Sequence, residues 1–168
     1  MKIRTEQPAD KSRVATLLAR TYRGEGVKAI ELAGAMRRAA EENAAATASL
    51  VAENDSGDDI QACAFFAPVQ VGNQPDAAMV LAAFGFDTKQ EVDIQSCLDA
   101  YFDQIKEQGH SVVLMQGDID MFRASGFQRT REVGMDIPND DGSWLVKNLT
   151  DPQSPLPQGV VDLPAYLK

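Results

Sequence analysis

The most constraining feature of this sequence is one amphipathic helix that lies between two short apolar runs. Apolar residues recur at helical spacing from Ile94 to Ile105, and Gly109 ends the pattern. Residues 77–86 before it form an apolar strand, and residues 111–115 after it form the continuous apolar run of a strand buried on both faces. A strand, a helix and a strand in this order predict a right-handed crossover between parallel strands.

The first half of the chain predicts one strand, two helices and a hairpin. Residues 2–5 alternate like a strand, and Asp10 is suited to cap a helix that starts near Lys11. A second helix is expected over residues 27–42, while the alanine run that follows leaves its end open. Residues 49–53 and 60–69 flank a turn-rich segment and are predicted to form a hairpin.

The last part of the chain predicts a short helix, a second hairpin and a tail. The helix covers residues 119–124 and stops at Gly126, and the hairpin joins residues 132–137 to 144–149. The resulting order is β-α-α-β-β-β-α-β-α-β-β, an α/β class with a mixed, mostly antiparallel sheet and helices on both faces. We expect one domain over residues 1–149 and an extended tail over 150–168, which holds four of the eight prolines and lies on the body.

Charge and residue counts exclude several function classes. Sixteen Lys and Arg against 25 Asp and Glu give a formal net charge of -9, which would repel nucleic acid and anionic membranes. Two cysteines and one histidine are too few for a disulfide framework, a zinc cluster or a histidine-rich metal site, so no metal is expected. No apolar run approaches the length of a membrane span, and the start resembles no secretion signal, so a cytoplasmic protein is expected.

One ordered set of short motifs resembles a known family. The set comprises a helix ending at Gly109, the apolar strand, Gly117-Asp118, a short helix and Gly126-Phe127. In this order and spacing, it resembles the bacterial members of the GNAT superfamily, the acetyl-CoA-dependent N-acetyltransferases. The resemblance covers the chain to about Leu149 and implies a fourth strand that splays away from the fifth.

The resemblance implies the chemistry of acyl transfer. Acetyl-CoA or another acyl-CoA would pair with the backbone of the fourth strand, where Phe84 and Phe86 would polarise the thioester carbonyl. A deprotonated amine, from a small molecule or a peptide, would then attack the thioester directly. A glycine-rich loop would wrap the pyrophosphate, and a tyrosine four residues before the Gly-Phe pair would reprotonate the CoA thiolate.

The expected pyrophosphate loop departs from the family pattern. No glycine lies between Gly85 and Gly109, and the two small positions of the loop fall on branched or polar side chains. By position, the cofactor-binding residues after the strand are Lys89, Val92, Asp93, Ile94 and Gln95. The small positions are Val92 and Ile94 in one register, or Asp93 and Gln95 in the other, and carboxylates outnumber the single lysine.

A second departure concerns the donors of the loop and the general acid. Thr88 and Glu91 fit a capping box, which would use the helix N–H groups internally instead of offering them to phosphate. Phe122 stands at the usual tyrosine position and has no proton to give. Loss of a general acid alone slows a reaction by about 10²–10⁴-fold without abolishing it.

Other chemically capable residues favour structural roles. Glu53 is a candidate base at a strand end, but a solvated turn residue fits equally, and His110 has no visible orienting partner. Asp118 and Asp120 fit turn and helix-start positions, and the two cysteines fit core packing. Arg123, Arg129 and Arg131 form a basic group that is typical of a solvated surface, and a site for a CoA phosphate is the alternative.

The sequence therefore indicates a GNAT-like protein that moves an acyl group from acyl-CoA to an amine, with weakened CoA binding and activity. The alternative is a catalytically silent module of the same fold that binds a partner or a small ligand without a cofactor. The sequence does not name the acyl acceptor, and it leaves a homodimer open.

Overall fold

The structure is a computed structural model that describes residues 1–42, 47–90 and 92–167. The chain divides into two compact units. Unit 1 comprises residues 1–67 and 82–104, and unit 2 comprises residues 68–81 and 105–168. Two strands, Ile60–Val71 and Gln74–Phe86, and one helix, Ile94–Glu107, contribute residues to both units.

Four α-helices and nine strands follow one another along the described residues. The helices are α1 Lys11–Thr21, α2 Gly26–Glu42, α3 Ile94–Glu107 and α4 Ile119–Phe122. The first five strands are β1 Lys2–Thr5, β2 Ala48–Glu53, β3 Ile60–Val71, β4 Gln74–Phe86 and β5 Val112–Gln116. The last four are β6 Gln128–Arg129, β7 Met135–Asp136, β8 Trp144–Asn148 and β9 Gly159–Asp162.

Unit 1 begins with an antiparallel ladder of β1, β2 and β3. Ile3 faces Ala52 in the first pair of strands, and Val51 faces Cys63 in the second. The buried face of α1 carries Val14, Leu17 and Leu18, at the spacing that the sequence predicts. The hairpin of β2 and β3 and the position of α1 confirm the first half of the prediction.

Unit 2 contains the parallel pair that the crossover prediction requires. Met79 of β4 faces Val113 of β5, and Val80 faces Leu114. β5 is paired along its whole length with antiparallel β8, and β6 also pairs with β8. The sheet is therefore mixed and mostly antiparallel, in the order β1-β2-β3-β4-β5-β8-β6, which confirms the predicted α/β class.

The tail is extended and supplies a strand of its own. β9 pairs antiparallel with the end of β3, where Val71 faces Val161, and parallel with β7, where Met135 faces Gly159. The predicted hairpin of residues 132–137 with β8 is therefore wrong. A 3-10 turn over Thr130–Glu132 and the positive φ of Gly134 leave a strand of only two residues there, and that strand pairs with the tail.

Two further expectations differ from the structure or lie outside it. The Asp10 side chain does not cap α1. It accepts hydrogen bonds from the Gln7 N–H, at 2.7 Å, and from the Arg4 guanidinium, because it closes the preceding 3-10 turn. The alanine run at residues 44–46 lies outside the described residues.

Gly85 allows α1 to approach β4 closely. A Cβ at this position would lie 3.0 Å from the Cys63 sulfur and 3.1 Å from the Leu18 backbone nitrogen. Backbone and a buried strand residue cannot move aside as a flexible side chain can. We infer that a side chain at position 85 would push α1 away from β4.

Gly85→Ala is therefore expected to destabilise the protein by about 1–3 kcal/mol through overpacking. The matched control is Gly34→Ala in α2, where a Cβ would meet only the end of Arg38, at 3.5 Å. That change should stabilise the protein by about 0.5–1 kcal/mol, because alanine restricts the unfolded chain and favours a helix. Urea denaturation measures both free energies of unfolding, and a destabilisation that is equal in the two variants would contradict the close packing.

Candidate functional site

Two backbone N–H groups at the end of β4 are hydrogen-bonded to hydroxyl groups at the end of α1. The Phe84 N–H donates to the Tyr22 hydroxyl at 3.1 Å, and the Phe86 N–H donates to the Thr21 hydroxyl at 2.9 Å. Phe84 and Phe86 are the residues whose backbone the resemblance assigns to the thioester carbonyl. Their amides are therefore already engaged within unit 1.

The two hydroxyl groups differ in what they can still do. Thr21 donates its own proton to the Leu17 carbonyl at 2.8 Å, so its hydroxyl both donates and accepts. Tyr22 accepts from Phe84, and burial raises the pKa of Tyr22, so the phenol stays protonated at neutral pH. Both contacts depend on the close approach of α1 at Gly85.

The loop after β4 begins with a buried ion pair. Asp87 is only 3% exposed, and its carboxylate lies 2.8 Å from Arg13 Nη2 and 3.7 Å from Arg20 Nη1, both on α1. Burial alone opposes ionisation, but the Lys89 N–H and the two guanidinium groups hold the pKa of Asp87 below its ordinary value. Its place in the sequence suggests that Asp87 adds a negative charge to the loop. In the structure, this charge is paired with two arginines of α1.

Three backbone N–H groups of the loop are used locally. The Lys89 N–H donates to the Asp87 carboxylate at 3.0 Å, and the Gln90 N–H donates to the Asp87 carbonyl. The Val92 N–H donates to the Gln90 carbonyl at 3.0 Å. A phosphate group that needed these amides would have to displace the hydrogen bonds of the loop itself.

Helix α3 is capped by Asp93 and not by Thr88. The helix begins at Ile94, and the Asp93 carboxylate accepts from the Ser96 N–H at 3.3 Å and from the Ser96 hydroxyl at 2.7 Å. The predicted capping box is therefore displaced from the start of the helix, because Asp93 fills the cap position. Its second member, Glu91, lies outside the described residues.

The predicted loop positions do not form the glycine cradle of the family pattern. Val92 and Gln95 are half-buried, Asp93 is exposed, and Ile94 is 38% exposed. None of the four leaves the bare backbone that lets phosphate oxygens come close. The residues present thus do not fit the pyrophosphate loop that the resemblance implies.

The Phe122 side chain packs against Phe127 and Gly117 in unit 2. Its ring lies edge-on to Phe127, with centroids 5.9 Å apart, and it covers Gly117 so closely that a Cβ there would lie 3.1 Å from the ring. Lys147 lies over the Phe127 ring at 5.7 Å. The ring has no hydroxyl, so α4 supplies no tyrosine proton at this position.

The other candidate residues lie in ion pairs, caps or the core. The Glu53 carboxylate pairs with Arg4, Asp118 caps α4 by accepting from the Asp120 N–H, and His110 lies half-buried at the start of β5. Among the three arginines, Arg123 and Arg129 approach Glu132, and Arg131 donates to the Asp140 carbonyl at 2.7 Å. These contacts favour structural roles for Glu53, Asp118 and the three arginines.

The two cysteines are buried and unreactive. Burial raises the pKa of the Cys63 thiol to about 12 and that of the Cys97 thiol to about 11. Across residues 1–42, 47–90 and 92–167, no three His, Cys, Asp or Glu side chains are grouped to hold a metal ion. Within the same ranges, no helix combines the length and apolar character that crossing a membrane requires.

Sequence reasoning missed the residues on α1. Thr21 and Tyr22 carry no motif, and nothing in their spacing signals a bond to a strand more than sixty residues later. Arg13 and Arg20 lie on α1 outside its buried apolar stripe. Their partner is an aspartate at the end of a distant strand, and only the fold brings it close to them.

Comparison with solved structures identifies the fold. A GNAT family N-acetyltransferase, YhbS from Escherichia coli, solved in complex with CoA, matches with a TM-score of 0.76 and 21% identity over 98% of this chain and 90% of that one. An acetyltransferase from Brucella melitensis, solved with acetyl-CoA, matches with a TM-score of 0.73 and 22% identity over 99% and 97%.

A third structure, the ribosomal-protein-alanine N-acetyltransferase of Brucella melitensis, matches with a TM-score of 0.59 and 14% identity over 88% of this chain and 99% of that one. No protein-family model matches the chain, and no curated protein matches it. The chain has the GNAT fold.

The Asp87 ion pair predicts a stability that depends on pH. Because the pKa of Asp87 is lowered on folding, its contribution is present above the unfolded value of about 3.9 and is lost as the pH falls through the folded value. Asp87→Asn should lower the free energy of unfolding at pH 7 by about 1.5–3 kcal/mol, with a smaller effect at acid pH.

The control is Asp103→Asn on α3, which removes the same charge from an exposed position. We expect it to change the free energy of unfolding by no more than about 0.5 kcal/mol. Urea denaturation at a series of pH values measures both variants. Coincident curves for the two would rule out a stabilising role for the Asp87 pair.

Proposed function

We propose that this chain transfers an acyl group from an acyl-CoA to an amine and that it binds the acyl-CoA weakly. The observation that supports the transfer is the GNAT fold, with a parallel β4 and β5 joined through α3, which solved N-acetyltransferases share in complex with CoA or acetyl-CoA. The backbone at Phe84 and Phe86 would receive the thioester.

Three features support weak binding. The Phe84 and Phe86 amides donate to the hydroxyl groups of α1, so a thioester must compete with them. The loop after β4 has no glycine, and the N–H groups of Lys89, Gln90 and Val92 donate within the loop. Each neutral hydrogen bond contributes about 0.5–1.5 kcal/mol net, so several competing bonds reduce the affinity for a ligand by one or more powers of ten.

An amine from a small molecule or a peptide is the proposed acceptor. One structural neighbour is by name a ribosomal-protein-alanine N-acetyltransferase, which supports an amine acceptor for the fold. Phe122 offers no proton to the departing thiolate, and this supports slow turnover.

The second candidate is a catalytically silent module of the same fold that binds a partner or a small ligand. The specific observation that favours it is the pair of hydrogen bonds from Phe84 and Phe86, since they satisfy the strand amides without any cofactor. Calorimetry with acetyl-CoA separates the two candidates.

The weak enzyme predicts a dissociation constant for acetyl-CoA of roughly 0.1–1 mM, equivalent to about −5.5 to −4 kcal/mol. Binding in this range together with slow acetylation of an amine would support the proposal. No heat at these concentrations would favour the silent module, and nanomolar binding would contradict weak binding altogether.

Removal of the two hydroxyl groups should release the strand amides. We expect Thr21→Val and Tyr22→Phe each to strengthen acetyl-CoA binding by about two- to tenfold, corresponding to one neutral hydrogen bond that no longer competes. The matched control is Thr16→Val, because Thr16 makes the same type of bond to its own helix, at 3.2 Å from the Ser12 carbonyl. If all three variants and the unmodified protein bind acetyl-CoA with equal affinity, the two hydroxyl groups do not compete with the thioester for the strand amides.

Glycines in the loop should improve binding independently. We expect Val92→Gly with Ile94→Gly to strengthen acetyl-CoA binding, since both changes expose backbone to phosphate oxygens. The pair Asp93→Gly with Gln95→Gly tests the other register, at the cost of the Asp93 cap on α3. Calorimetry that shows no gain for either pair would refute the role assigned to the loop.

A further inference from the structure

Unit 2 contains a cavity of about 640 Å³ that is lined by the turn after α4, the end of β8 and the tail. This volume lies within the range of roughly 300–1,000 Å³ that small-molecule sites occupy. Its lining carries two cations, Arg123 and Lys147, and, within the described part of the chain, no aspartate or glutamate. Because the whole chain has a formal charge of -9, a cavity whose charged groups are cations points to an anionic ligand.

The two cations keep their charge at the cavity. The Arg123 guanidinium approaches one oxygen of the Glu132 carboxylate only to 4.0 Å, while the other oxygen lies 3.3 Å from Arg129. Because the contact with Arg123 is longer than a hydrogen bond, it orients the guanidinium without using its N–H donors. Lys147 Nζ lies 5.7 Å from the centroid of the Phe127 ring, and contact with a ring face does not neutralise an ammonium group.

Gly126 allows the turn after α4 to lie close to Lys147. Its φ of 96° is in the left-handed region that favours glycine, and a Cβ there would lie 3.5 Å from Lys147 Cε. The Lys147 side chain therefore contacts both this turn and the Phe127 ring, so its ammonium group is positioned before a ligand binds.

The tail adds an apolar wall that hydrogen bonds hold in place. The Gln158 side-chain amide donates to the Val133 carbonyl at 2.7 Å and to the Leu156 carbonyl at 3.1 Å. Phe127, Val133 and Leu156 all line the cavity and supply apolar surface to it. The site therefore combines two cations with a preformed apolar wall, which suits an anion that has an apolar body.

The backbone of the turn favours a carboxylate over a phosphate. Phosphate sites are commonly built from free backbone N–H groups at helix N-termini or in loops. Here the Gly126 N–H donates to the Arg123 carbonyl at 3.0 Å, and the Phe127 N–H donates to the Phe122 carbonyl at 3.3 Å. A carboxylate does not need these amides, because the fork of a guanidinium group matches its two oxygens.

We propose that this cavity binds an organic carboxylate, with the charged group at Arg123 and Lys147 and an apolar body against Leu156. The ligand is thus a small carboxylic acid in its ionised form. The proposal does not rest on the proposed function, because the strand amides and the loop assigned to acyl-CoA belong to unit 1.

NMR titration of the full-length, isotopically labelled protein tests the site. The backbone amide signals of Gly126 and Asn148 are followed with 3-phenylpropionate, 3-phenylpropanamide and 2-phenylethyl phosphate, which share a phenylethyl group. We expect saturable shifts with the carboxylate, an affinity about two- to fivefold lower for the neutral amide, as for one exposed ion pair, and no tighter binding of the phosphate. The absence of saturable shifts with the carboxylate, equal affinity for the amide, or tighter binding of the phosphate would overturn the proposal.

Variants separate the charges from the apolar wall. Arg123→Gln and Lys147→Gln should each lower the affinity for 3-phenylpropionate about two- to fivefold and leave that for 3-phenylpropanamide unchanged. Leu156→Ala should weaken both ligands alike, and the control Lys106→Gln, which removes an exposed positive charge on α3, should change neither. Circular dichroism confirms that each variant is folded. Unchanged carboxylate affinity in both folded cation variants, or an equal loss in Lys106→Gln, would refute the site.

Acetyl-CoA tests whether the cavity holds part of the acyl donor instead. Addition of acetyl-CoA should leave the shifts caused by 3-phenylpropionate unchanged. Displacement of the carboxylate by acetyl-CoA would assign the two cations to a CoA phosphate and overturn the proposal. The carboxylate titration needs no acyl transfer, so a failure of this proposal and a failure of the proposed function are distinguishable.

Discussion

The close contact between α1 and β4 at Gly85 determines what the end of this strand can do. Because position 85 has no side chain, the Leu18 backbone lies within van der Waals distance of β4, and the next turn of α1 brings two hydroxyl groups to the strand amides. A strand edge left open would offer these amides to a ligand. Here the protein satisfies them itself, and a ligand must exchange one hydrogen bond for another with little net gain.

The same helix also governs the electrostatics of the loop after β4. Arg13 and Arg20 form ion pairs with Asp87. The carboxylate therefore neutralises positive charge that could otherwise attract a phosphate. A buried carboxylate with two guanidinium partners is costly to disrupt, because removal of one partner leaves an unpaired charge. The proposal of weak diphosphate binding therefore rests on two separate physical causes: donors and cations that already have partners.

Local patterns in the sequence predicted those parts of the fold that depend on neighbours in the chain. The helical spacing from Ile94 to Ile105 and the apolar run after it are local signals, and the structure contains both α3 and a parallel β5. The sequence itself also shows that the loop lacks glycine and that position 122 is a phenylalanine. The predicted hairpin at residues 132–137 failed because the competing partner, β9, lies more than twenty residues away.

The contacts at the candidate site could not be predicted in the same way. Asp87 lies in an acidic segment of the sequence, yet its partner Arg13 is 74 residues distant in the chain, and only the packing of α1 brings them together. The cap of α3 was assigned to Thr88 because that residue begins a capping-box pattern, while Asp93 lies next to the helix and offers its carboxylate to the third helical N–H. Residues that act through tertiary contacts leave no periodic signal.

The two regions described here differ in how ready each is to accept a ligand. The amides of β4 and the loop already have partners, so binding there begins with the loss of existing bonds. A cavity of about 590 Å³ in unit 2, whose lining includes Trp144, Val160 and Leu163, has its wall fixed by glycine contacts, so a ligand there gains apolar burial. Ligand binding at the strand amides and ligand binding in the cavity therefore depend on different residues and on different physical terms.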